Sequence, residues 1–457
     1  MLIELEYRSD SARIFQSLLD LPYCVFLDSG YGSSFAGRYD ILAASPYLTL
    51  TTRGAETEIR SRRSVEVSGR DPLELLREHM GPNDPVASDL PFTGGAIGYL
   101  SYDLGRRFES FAGTAERDFE MPEMLVGLYD WALVVDHERK QSFLVRGGRD
   151  PATVEQWDEI QALFQHASAK PRPIFEVVSA VQSNFDFASY TEAFGKVQQH
   201  IRRGDCYQIN LAQRFAAAIR GDSWNAYAAL RQLNPAPFSA YLGTPHGDIL
   251  CSSPERFLQI KGDHVQSKPI KGTRPRANDF MTDTAMRDAL AHSAKDQAEN
   301  VMIVDLLRND LGKSCVAGSV EVSNLFDIES FAQVHHLVST VSGRLRPDRH
   351  ALDLVRGCFP GGSITGAPKV RAMQIIDELE PHRRSIYCGS IGYLGFNGRM
   401  DLNIAIRSLL RVGDSIYAWA GGGIVADSDA SSEFQESLDK AAGLLEVLSK
   451  STISAAS

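Results

Sequence analysis

The sequence predicts an α+β fold, and two observations support this prediction. The N-terminal part contains short segments rich in β-branched and aromatic residues, such as 23–27 and 47–52, which is the composition of strands. From residue 190 onward, segments with helical periodicity alternate with apolar, strand-like segments. We therefore expect an N-terminal domain over 1–150, a polar connecting segment over 151–185 and a second domain over 186–450.

In the N-terminal part, four segments have strand composition: residues 23–27, 47–52, 94–100 and 132–136. The sequence Asp-Ser-Gly-Tyr-Gly at 28–32 is rich in turn-forming residues and predicts a loop.

In the C-terminal part, the apolar periodicity predicts helices over 280–307, 369–379 and 432–448. The second of these follows Pro368 directly, which suits the first helical turn. Residues 400–410 alternate as a strand. The pair Gly413-Asp414 then predicts a turn into a further strand over 415–420.

Composition excludes several classes of protein. The 457 residues carry a formal net charge of -11, which argues against a nucleic-acid partner. The 6 cysteines are scattered without a C-x-x-C pair, as expected for reduced thiols in the cytoplasm. No uncharged apolar stretch is long enough to cross a membrane, and charged residues within 1–10 argue against a signal peptide.

Acidic residues on two predicted helices are candidates for a metal site. Glu433 and Glu436 lie one turn apart with Lys440 on the same face, and Glu299 lies on another helix. Carboxylates of two helices that face one cavity would suit Mg²⁺, with water and substrate oxygens as its other ligands. Spacing alone favours the simpler interpretation of two solvated acidic surfaces.

The segment Pro269 to Thr273 places Lys271 between a stiff Pro-Ile pair and a Gly-Thr pair. A neutral lysine amine is a nucleophile, whereas a charged one only binds anions. A second segment, 359–369, has glycines and the hydroxyls of Ser363 and Thr365 just before a helix, which predicts an anion site. The P-loop sequence is absent, so a carboxylate is the better ligand. A tight turn with a helix cap is the alternative.

Arg407 and a run of glycines are candidates for carboxylate binding. On the predicted strand 400–410, Arg407 shares its face with Asp401 and Asn403. It can hold a ligand carboxylate through two hydrogen bonds or form a buried ion pair. The backbone of Gly421, Gly422 and Gly423 can form a second anion-binding nest or only a tight bend.

Two further residues have both a structural and a catalytic interpretation. His336 follows His335 on a predicted strand, and a buried histidine is more often a core residue than a catalyst. Glu255 is either a proton donor or the ion-pair partner of Arg256.

Taken together, these residues resemble the chorismate-utilising enzymes. The matching segments are 269–273, 298–310, 336–339, 359–373, 404–408 and 420–440, and in the N-terminal part 28–31 and 102–109. The resemblance implies an α+β fold built as a large two-sheet antiparallel β-sandwich flanked by helices. It also implies an N-terminal domain (1–150) like that of anthranilate synthase component I, and a chorismate-binding catalytic domain (186–450).

Lys271 discriminates within this family. Anthranilate synthases usually carry alanine at this place. With lysine here, the sequence is similar to the members that add an amino group at C4 of chorismate. The resemblance implies that Lys271 attacks C2 of chorismate, that Glu255 protonates the leaving 4-hydroxyl, and that His336 is an active-site histidine of open role. Mg²⁺ would be held by Glu299 and Glu436, with Glu433 nearby.

The resemblance also implies a set of residues that bind chorismate. Arg407 and Tyr387 would hold the enolpyruvyl carboxylate with Ser363 and Thr365. The whole substrate-binding set is Thr273, Ser363, Thr365, Tyr387, Arg407, Gly421, Gly422, Gly423 and Lys440.

Two partners follow from the same resemblance. The chain has no Gly-x-Cys-x-Gly turn of a glutamine amidotransferase, so ammonia would come from a separate glutaminase subunit in a heterodimer. Some members bind tryptophan in the N-terminal domain. The matching residues here are Ser29, Arg38, Tyr39, Pro237, Phe238 and Ser239, although Ala36-Gly37 stands where larger residues are often found.

Three alternatives remain at this point. The nearest is a member that adds water and gives isochorismate or salicylate, with the lysine as the base that activates water. An anthranilate synthase is disfavoured by Lys271. A non-catalytic tryptophan-sensing subunit is disfavoured because the catalytic positions are intact.

Overall fold

The computed structural model describes residues 1–30, 37–84, 88–109, 113–165, 170–277, 279–331 and 334–451. Tyr31 and Gly32 of the predicted loop lie outside the described residues. No helix of the described part is long and apolar enough to cross a membrane.

The strands of the described residues form two antiparallel sheets, of 13 and 12 strands. They are β1 (Leu2–Leu5), β2 (Val25–Asp28), β3 (Tyr39–Ala43), β4 (Leu48–Arg53), β5 (Glu56–Ser61), β6 (Val65–Ser68), β7 (Gly95–Leu100), β8 (Met124–Tyr129), β9 (Trp131–Asp136), β10 (Gln141–Arg146), β11 (Glu176–Val177), β12 (Gln182–Ser183), β13 (Gln208–Arg220), β14 (Phe238–Thr244), β15 (Gly247–Ser253), β16 (Arg256–Lys261), β17 (His264–Lys268), β18 (Ile270–Pro275), β19 (Glu321–Ser330), β20 (Val334–Arg344), β21 (Gly366–Ala367), β22 (Ser390–Gly395), β23 (Met400–Asn403), β24 (Ser408–Val412) and β25 (Ser415–Ile424).

The helices are α1 (Ser11–Phe15), α2 (Pro72–Met80), α3 (Gly105–Phe108), α4 (Pro151–Glu155), α5 (Trp157–Gln165), α6 (Phe187–Arg202), α7 (Ser223–Leu233), α8 (Phe280–Ala291), α9 (Ala294–Gly312), α10 (Ala351–Cys358), α11 (Lys369–Leu379) and α12 (Ala430–Lys450). Short 3₁₀ turns cover Gln16–Leu18, Tyr102–Leu104 and Gly362–Ile364.

Both sheets contain strands from both halves of the chain. The first runs β1-β10-β9-β3-β2-β14-β15-β24-β25-β13-β11, with β12 and β21 also paired to β13. The second runs β18-β20-β17-β16-β23-β22-β7-β8-β4-β5-β6, with β19 paired to β20. The halves meet where β2 pairs with β14 and where β7 pairs with β22. The predicted domains are therefore joined into continuous sheets.

The two sheets pack face to face, which confirms the predicted sandwich. Side chains of a strand point alternately to its two faces, and β9 shows this pattern. Ala132 and Val134 belong to the core that contains residues of both sheets. Trp131, Leu133 and Val135 point the other way, into a second core that also contains residues of α5, α7 and α12. The helices thus cover the outer face of the first sheet.

Several predicted elements are confirmed. The helix over 369–379 is α11, the helix over 432–448 lies within α12, and the four N-terminal strands match β2, β4, β7 and β9 within two residues. The turn at 413–414 leads into β25, which is longer than predicted. The segment 151–185 is less irregular than its polar composition indicated, because α4 and α5 lie within it and Trp157, Ile160 and Phe164 are buried.

The prediction of one helix over 280–307 was wrong, because two helices cover this range. The first ends before His292, and the Ser293 side chain accepts a hydrogen bond from the backbone N–H of Asp296, which caps α9. On α9, Val301 is 41% exposed, whereas Val304 and Leu307 are buried.

The prediction of one strand over 400–410 was also wrong. The chain leaves the second sheet after Asn403 and joins the first sheet at Ser408. Arg407 lies in this connection with φ +53, so it does not share a strand face with Asp401 and Asn403. The crossing is fixed at both ends, because Ile404 N–H donates to Glu255 O and Ser252 N–H donates to Arg407 O.

Candidate active site

Lys271 lies on β18 at a β-bulge. The register between β18 and β20 shifts between Lys271 and Thr273, and a bulge of this kind changes the direction of the neighbouring side chains. Gly272 has φ +76, and a Cβ at this place would lie 2.8 Å from Asp296 Cγ. The Pro-Ile-Lys-Gly-Thr segment therefore needs glycine at 272 for its backbone shape and for the close approach of α9.

Ser363 connects Lys271 to Glu255. Lys271 Nζ donates to the backbone oxygen of Ser363 at 3.1 Å. The Ser363 hydroxyl donates to Glu255 Oε1 at 2.7 Å. One residue of the glycine-rich segment thus holds the amine and the carboxyl group in the same place, although the three residues are far apart in the sequence.

Burial shifts the pKa values of both groups toward their neutral forms. Desolvation lowers the pKa of the Lys271 amine, and the positive charge of Lys440 acts in the same direction against Glu299 and Glu255. Desolvation raises the pKa of Glu255, against the hydrogen bond from Ser363 and the charge of Lys271. A neutral amine and a protonated carboxyl are the forms that a nucleophile and a proton donor require.

The alternative interpretation of Glu255 as the partner of Arg256 is wrong. Arg256 Nε and Nη2 each donate to an oxygen of Asp401 at 3.0 Å. Glu255 is buried and has Ser363 as its hydrogen-bond donor.

The glycine-rich segment is fixed by backbone and side-chain hydrogen bonds. Thr365 Oγ1 donates to Gly361 O at 3.0 Å. The carbonyl of Ile364 accepts from Asn210 Nδ2 and from Arg384 Nη1, both at 2.9 Å. Arg384 is fully buried and pairs with Glu380. These bonds hold Ser363 where it can reach both Lys271 and Glu255.

His336 lies on β20 next to β18. Its Nδ1 is 2.9 Å from Thr273 Oγ1. Burial lowers its pKa to about 4, and the charge of Arg407 acts in the same direction, so the ring is neutral near pH 7. His335 is buried as well, and its Nε2 lies 3.0 Å from Asp283 Oδ1.

The guanidinium of Arg407 forms no ion pair with a carboxylate of the described residues. Its Nη1 donates to Lys440 O at 2.6 Å, and burial lowers its pKa. The ring of Tyr387, which is buried, stacks on Trp419 with 6.3 Å between centroids. A desolvated guanidinium is stabilised by a carboxylate that binds through two hydrogen bonds, so Arg407 is suited to an anionic ligand.

The acidic residues on α9 and α12 lie among lysines. Glu433 is buried, accepts from Ser428 Oγ at 2.7 Å and lies 3.6 Å from Lys295 Nζ. Glu436 Oε1 is 2.6 Å from Lys440 Nζ. Burial raises the pKa of Glu299, against the charges of Lys271 and Lys295.

These carboxylates have the right chemistry for Mg²⁺. Among the described residues, no three His, Cys, Asp or Glu side chains form a cluster that could hold a metal ion as they stand. Mg²⁺ usually needs only one or two protein carboxylates and takes its other ligands from water and substrate. The carboxylates of Glu299 on α9 and Glu436 on α12 meet this requirement.

The structure places Gly421 to Gly423 inside β25 and not at a tight bend. They pair with residues 210–212 of β13 on one edge, whereas the pairing of β25 with β24 covers only 415–418. On the edge that β24 does not cover, Gly421 O accepts from Lys440 Nζ at 3.1 Å. Because they have no side chains, these glycines leave space in the site. A Cβ on Gly422 would lie 3.1 Å from Glu433 Oε2 and 3.7 Å from Lys440 Nζ, so glycine leaves room beside the acidic residues.

Sequence reasoning missed Gln208. This residue begins β13, is fully buried, and neither atom of its amide has a hydrogen-bond partner in the described part of the chain. A Cβ on Gly423 would lie 2.2 Å from its Nε2. A buried amide without a partner is the kind of group that a ligand or water satisfies. The available signal was the pair Gln208 and Asn210 at alternate positions of an otherwise apolar strand.

A separate cavity of about 360 Å³ lies between the two sheets. All six residues of the predicted tryptophan site line it: Ser29, Arg38, Tyr39, Pro237, Phe238 and Ser239. Two of the polar groups already have partners. Ser29 donates through its N–H and its hydroxyl to Asp40, and Arg38 pairs with Asp136.

Comparison with known proteins shows the family to which the chain belongs. The family model of the chorismate binding enzymes matches residues 23–446, and the chain belongs to this family. It is 49% identical over 452 residues to aminodeoxychorismate synthase component 1 of Escherichia coli strain K12, covering 98% of each protein. It is 39% identical to an anthranilate synthase component 1 of Haloarcula marismortui, covering 84% of this chain and 82% of that protein.

The fold agrees with solved structures. Anthranilate synthase component I from Streptococcus pneumoniae TIGR4 superposes with a TM-score of 0.80 at 31% identity, covering 89% of this chain and 92% of that one. The two-sheet architecture is therefore that of the family.

Proposed function

We propose that the chain forms 4-amino-4-deoxychorismate from chorismate and ammonia, as the component 1 of an aminodeoxychorismate synthase. The observation that carries this proposal is the group Lys271–Ser363–Glu255, in which burial favours a neutral amine beside a protonated carboxyl. The relatives named aminodeoxychorismate synthase component 1 support it over nearly the full length of the chain.

In the first step, Lys271 Nζ attacks C2 of chorismate. The two ring double bonds shift, the C4–O bond breaks, and Glu255 gives its proton to the departing hydroxyl, which leaves as water. Hydroxide is a poor leaving group unless it is protonated. The products are a charged secondary amine on Lys271 and an ionised Glu255.

In the second step, ammonia attacks C4, the double bonds shift back, and Lys271 leaves as a neutral amine. The new ammonium group at C4 gives a proton to Glu255. Both residues return to their starting forms, and the net reaction exchanges the hydroxyl for an amino group with release of water.

Arg407 and Tyr387 bind the enolpyruvyl carboxylate in this proposal, with Ser363, Thr365 and Thr273 beside it. No carboxylate of the described residues pairs with Arg407, which supports this role. His336, neutral and hydrogen-bonded to Thr273, contacts the substrate or relays a proton.

The ring carboxylate binds on the side of Lys440 and the three glycines of β25. We propose that Glu299 and Glu436, with Glu433 nearby, hold Mg²⁺. When bound, Mg²⁺ balances the negative charge of the ring carboxylate. The glycines leave space for the ligand beside Glu433 and Lys440.

Ammonia is supplied by a glutaminase subunit in a heterodimer, in keeping with the designation component 1 of the relatives. All six cysteines lie in the described part of the chain and are buried with free thiols, which supports a cytoplasmic location. The cavity between the sheets is the proposed tryptophan site, since all six matching residues line it and its volume suits a small molecule.

The test is incubation of the purified chain with chorismate, Mg²⁺ and ammonium at alkaline pH, with products identified by mass spectrometry. The wild type should form aminodeoxychorismate. Intact-protein mass spectrometry without ammonium should show an adduct of chorismate less one water. Lys271→Ala should lose the adduct.

Lys268→Ala is the matched control, because Lys268 lies at the end of β17, which precedes β18 in the chain, and pairs with Glu329. It should keep the adduct. Isochorismate or salicylate formed without ammonium would instead assign the chain to the water-adding members, with Lys271 as a base. Anthranilate as the product would contradict the proposal that the amino group is added at C4.

A further inference from the structure

The side chain of Lys295 extends from α9 toward α12. Its Nζ lies 3.6 Å from Glu433 Oε1, and it precedes Glu299 by one helical turn on α9. Lys295 therefore places a positive charge among the carboxylates that are proposed to hold Mg²⁺.

Helix α9 itself gains nothing from this lysine. Ser293 is the N-cap, so Lys295 is the second residue of the helix. A positive charge in the first turn is unfavourable, because the N-terminal end of a helix carries a partial positive charge. The favourable interaction of Lys295 is with the carboxylates of the site.

Of the three lysines, Lys295 is held by the fewest contacts among the described residues. Lys271 is held by Ser363 O and Lys440 by Gly421 O and Glu436. Among the residues that the structure describes, the ion pair of Lys295 is with Glu433, and its side chain is 58% exposed. Its ammonium can leave the site for solvent without breaking another bond of the site.

We propose that Lys295 is the counter-ion of the acidic residues when no divalent cation is bound, and that its ammonium competes with the cation for them. Lys295 would thus lower the affinity of the site for Mg²⁺ and prevent repulsion between α9 and α12 in the metal-free protein. This inference rests on the metal site of the proposed function.

The experiment measures metal binding directly, without turnover. Mn²⁺ is titrated into the full chain, free Mn²⁺ is followed by electron paramagnetic resonance, and Mg²⁺ is added as competitor. Lys295→Met keeps the length of the side chain and removes its charge. It should bind Mn²⁺ about three- to ten-fold more tightly than the wild type, as expected for removal of one partly screened positive charge near a divalent cation.

Two variants control for other effects. Lys295→Arg keeps the charge and should bind like the wild type. Lys450→Met removes a lysine that pairs with Glu446 at the other end of α12, and it should leave the affinity unchanged. Higher salt should reduce the difference between Lys295→Met and the wild type.

The outcomes separate this inference from the proposed function. If wild type binds Mn²⁺ and Lys295→Met binds equally or more weakly, the competition by Lys295 is refuted while the metal site stands. If Glu436→Gln binds as tightly as wild type, or if no protein binds Mn²⁺ even when chorismate is added without ammonium, the metal site and this inference both fail. Tighter binding by Lys295→Met without formation of aminodeoxychorismate would support the inference and refute the proposed reaction.

Discussion

Replacing His336 by glutamine is expected to make the stability of the protein less sensitive to acid. Burial, together with the charge of Arg407, lowers the pKa of His336 to about 4 in the folded protein. In an unfolded chain a histidine has a pKa of about 6.5. Glutamine cannot be protonated in this range and can still form a hydrogen bond with Thr273 Oγ1, which lies 2.9 Å from His336 Nδ1.

The sign and magnitude follow from linkage. Because the folded pKa is below the unfolded one, the unfolded chain binds more protons between about pH 4 and 6.5, and the folded state loses stability as the pH falls through this window. At pH 5 the loss relative to pH 7.5 from this one residue is about 2 kcal/mol. Above pH 7 it contributes almost nothing.

The assay is urea unfolding followed by tryptophan fluorescence at pH 5 and at pH 7.5. The difference in unfolding free energy between the two pH values should be smaller in His336→Gln than in the wild type by about 2 kcal/mol. His264→Gln, on the exposed face of β17, is the control and should behave like the wild type. An equal difference in His336→Gln and wild type would refute the assignment of a neutral, buried His336.

Three further substitutions test the site. Glu255→Gln should lower kcat by about 10²- to 10⁴-fold with chorismate affinity by calorimetry nearly unchanged, and a loss below tenfold would exclude Glu255 as the acid. Gly272→Ala should lower the unfolding free energy by about 2 kcal/mol or more and slow adduct formation, because its Cβ would lie 2.8 Å from Asp296 Cγ. Gly262 has φ +66, and no atom lies within 4 Å of a Cβ built on it. Gly262→Ala should therefore lower the unfolding free energy only through backbone strain. An equal loss of unfolding free energy in Gly262→Ala and Gly272→Ala would refute the steric argument. Arg407→Lys should raise KM for chorismate about tenfold or more, since an ammonium cannot bind a carboxylate through two parallel bonds, and an unchanged KM would place that carboxylate elsewhere.

The elements that could be predicted from sequence are those with a local signal. Helix α11 starts after Pro368 and has a regular apolar stripe, and its limits were predicted without error. The break between α8 and α9 also had a signal that was overlooked. Ser293 followed by Asp296 is a capping pattern, and the Ser293 hydroxyl does accept from Asp296 N–H.

The crossing between sheets at residues 404–407 could not be predicted from periodicity. Alternation of apolar residues continues through Ile404 and Ile406, although the chain there belongs to neither sheet. What decides the path is the partner of each flanking strand, since β23 pairs with β16 and β24 pairs with β15. These are long-range pairings that the local sequence does not contain.

The candidate site depends on the same kind of long-range contact. The motif around Lys271 indicated an important lysine, but its protonation state depends on burial and on the charges of Glu299 and Lys440. The glycines of β25 indicated close approach, but only the structure shows that the approaching groups are Glu433 and Lys440. The residue types indicated which ligands could bind. The place where they bind is determined by tertiary contacts.

Burial acts on both Lys271 and Glu255, and this explains how one site can hold a nucleophile and an acid. Removing water disfavours the charged forms of both Lys271 and Glu255, while their mutual attraction favours the ion pair. In the ion pair the amine cannot attack and the carboxylate cannot donate a proton, so the reactive state is the neutral one. The Ser363 hydroxyl donates to Glu255 and favours its charged form. Lys440 favours the neutral form of Lys271 but the charged form of Glu255. The neutral, reactive forms of both groups therefore depend on burial, which is the largest cause of both pKa shifts.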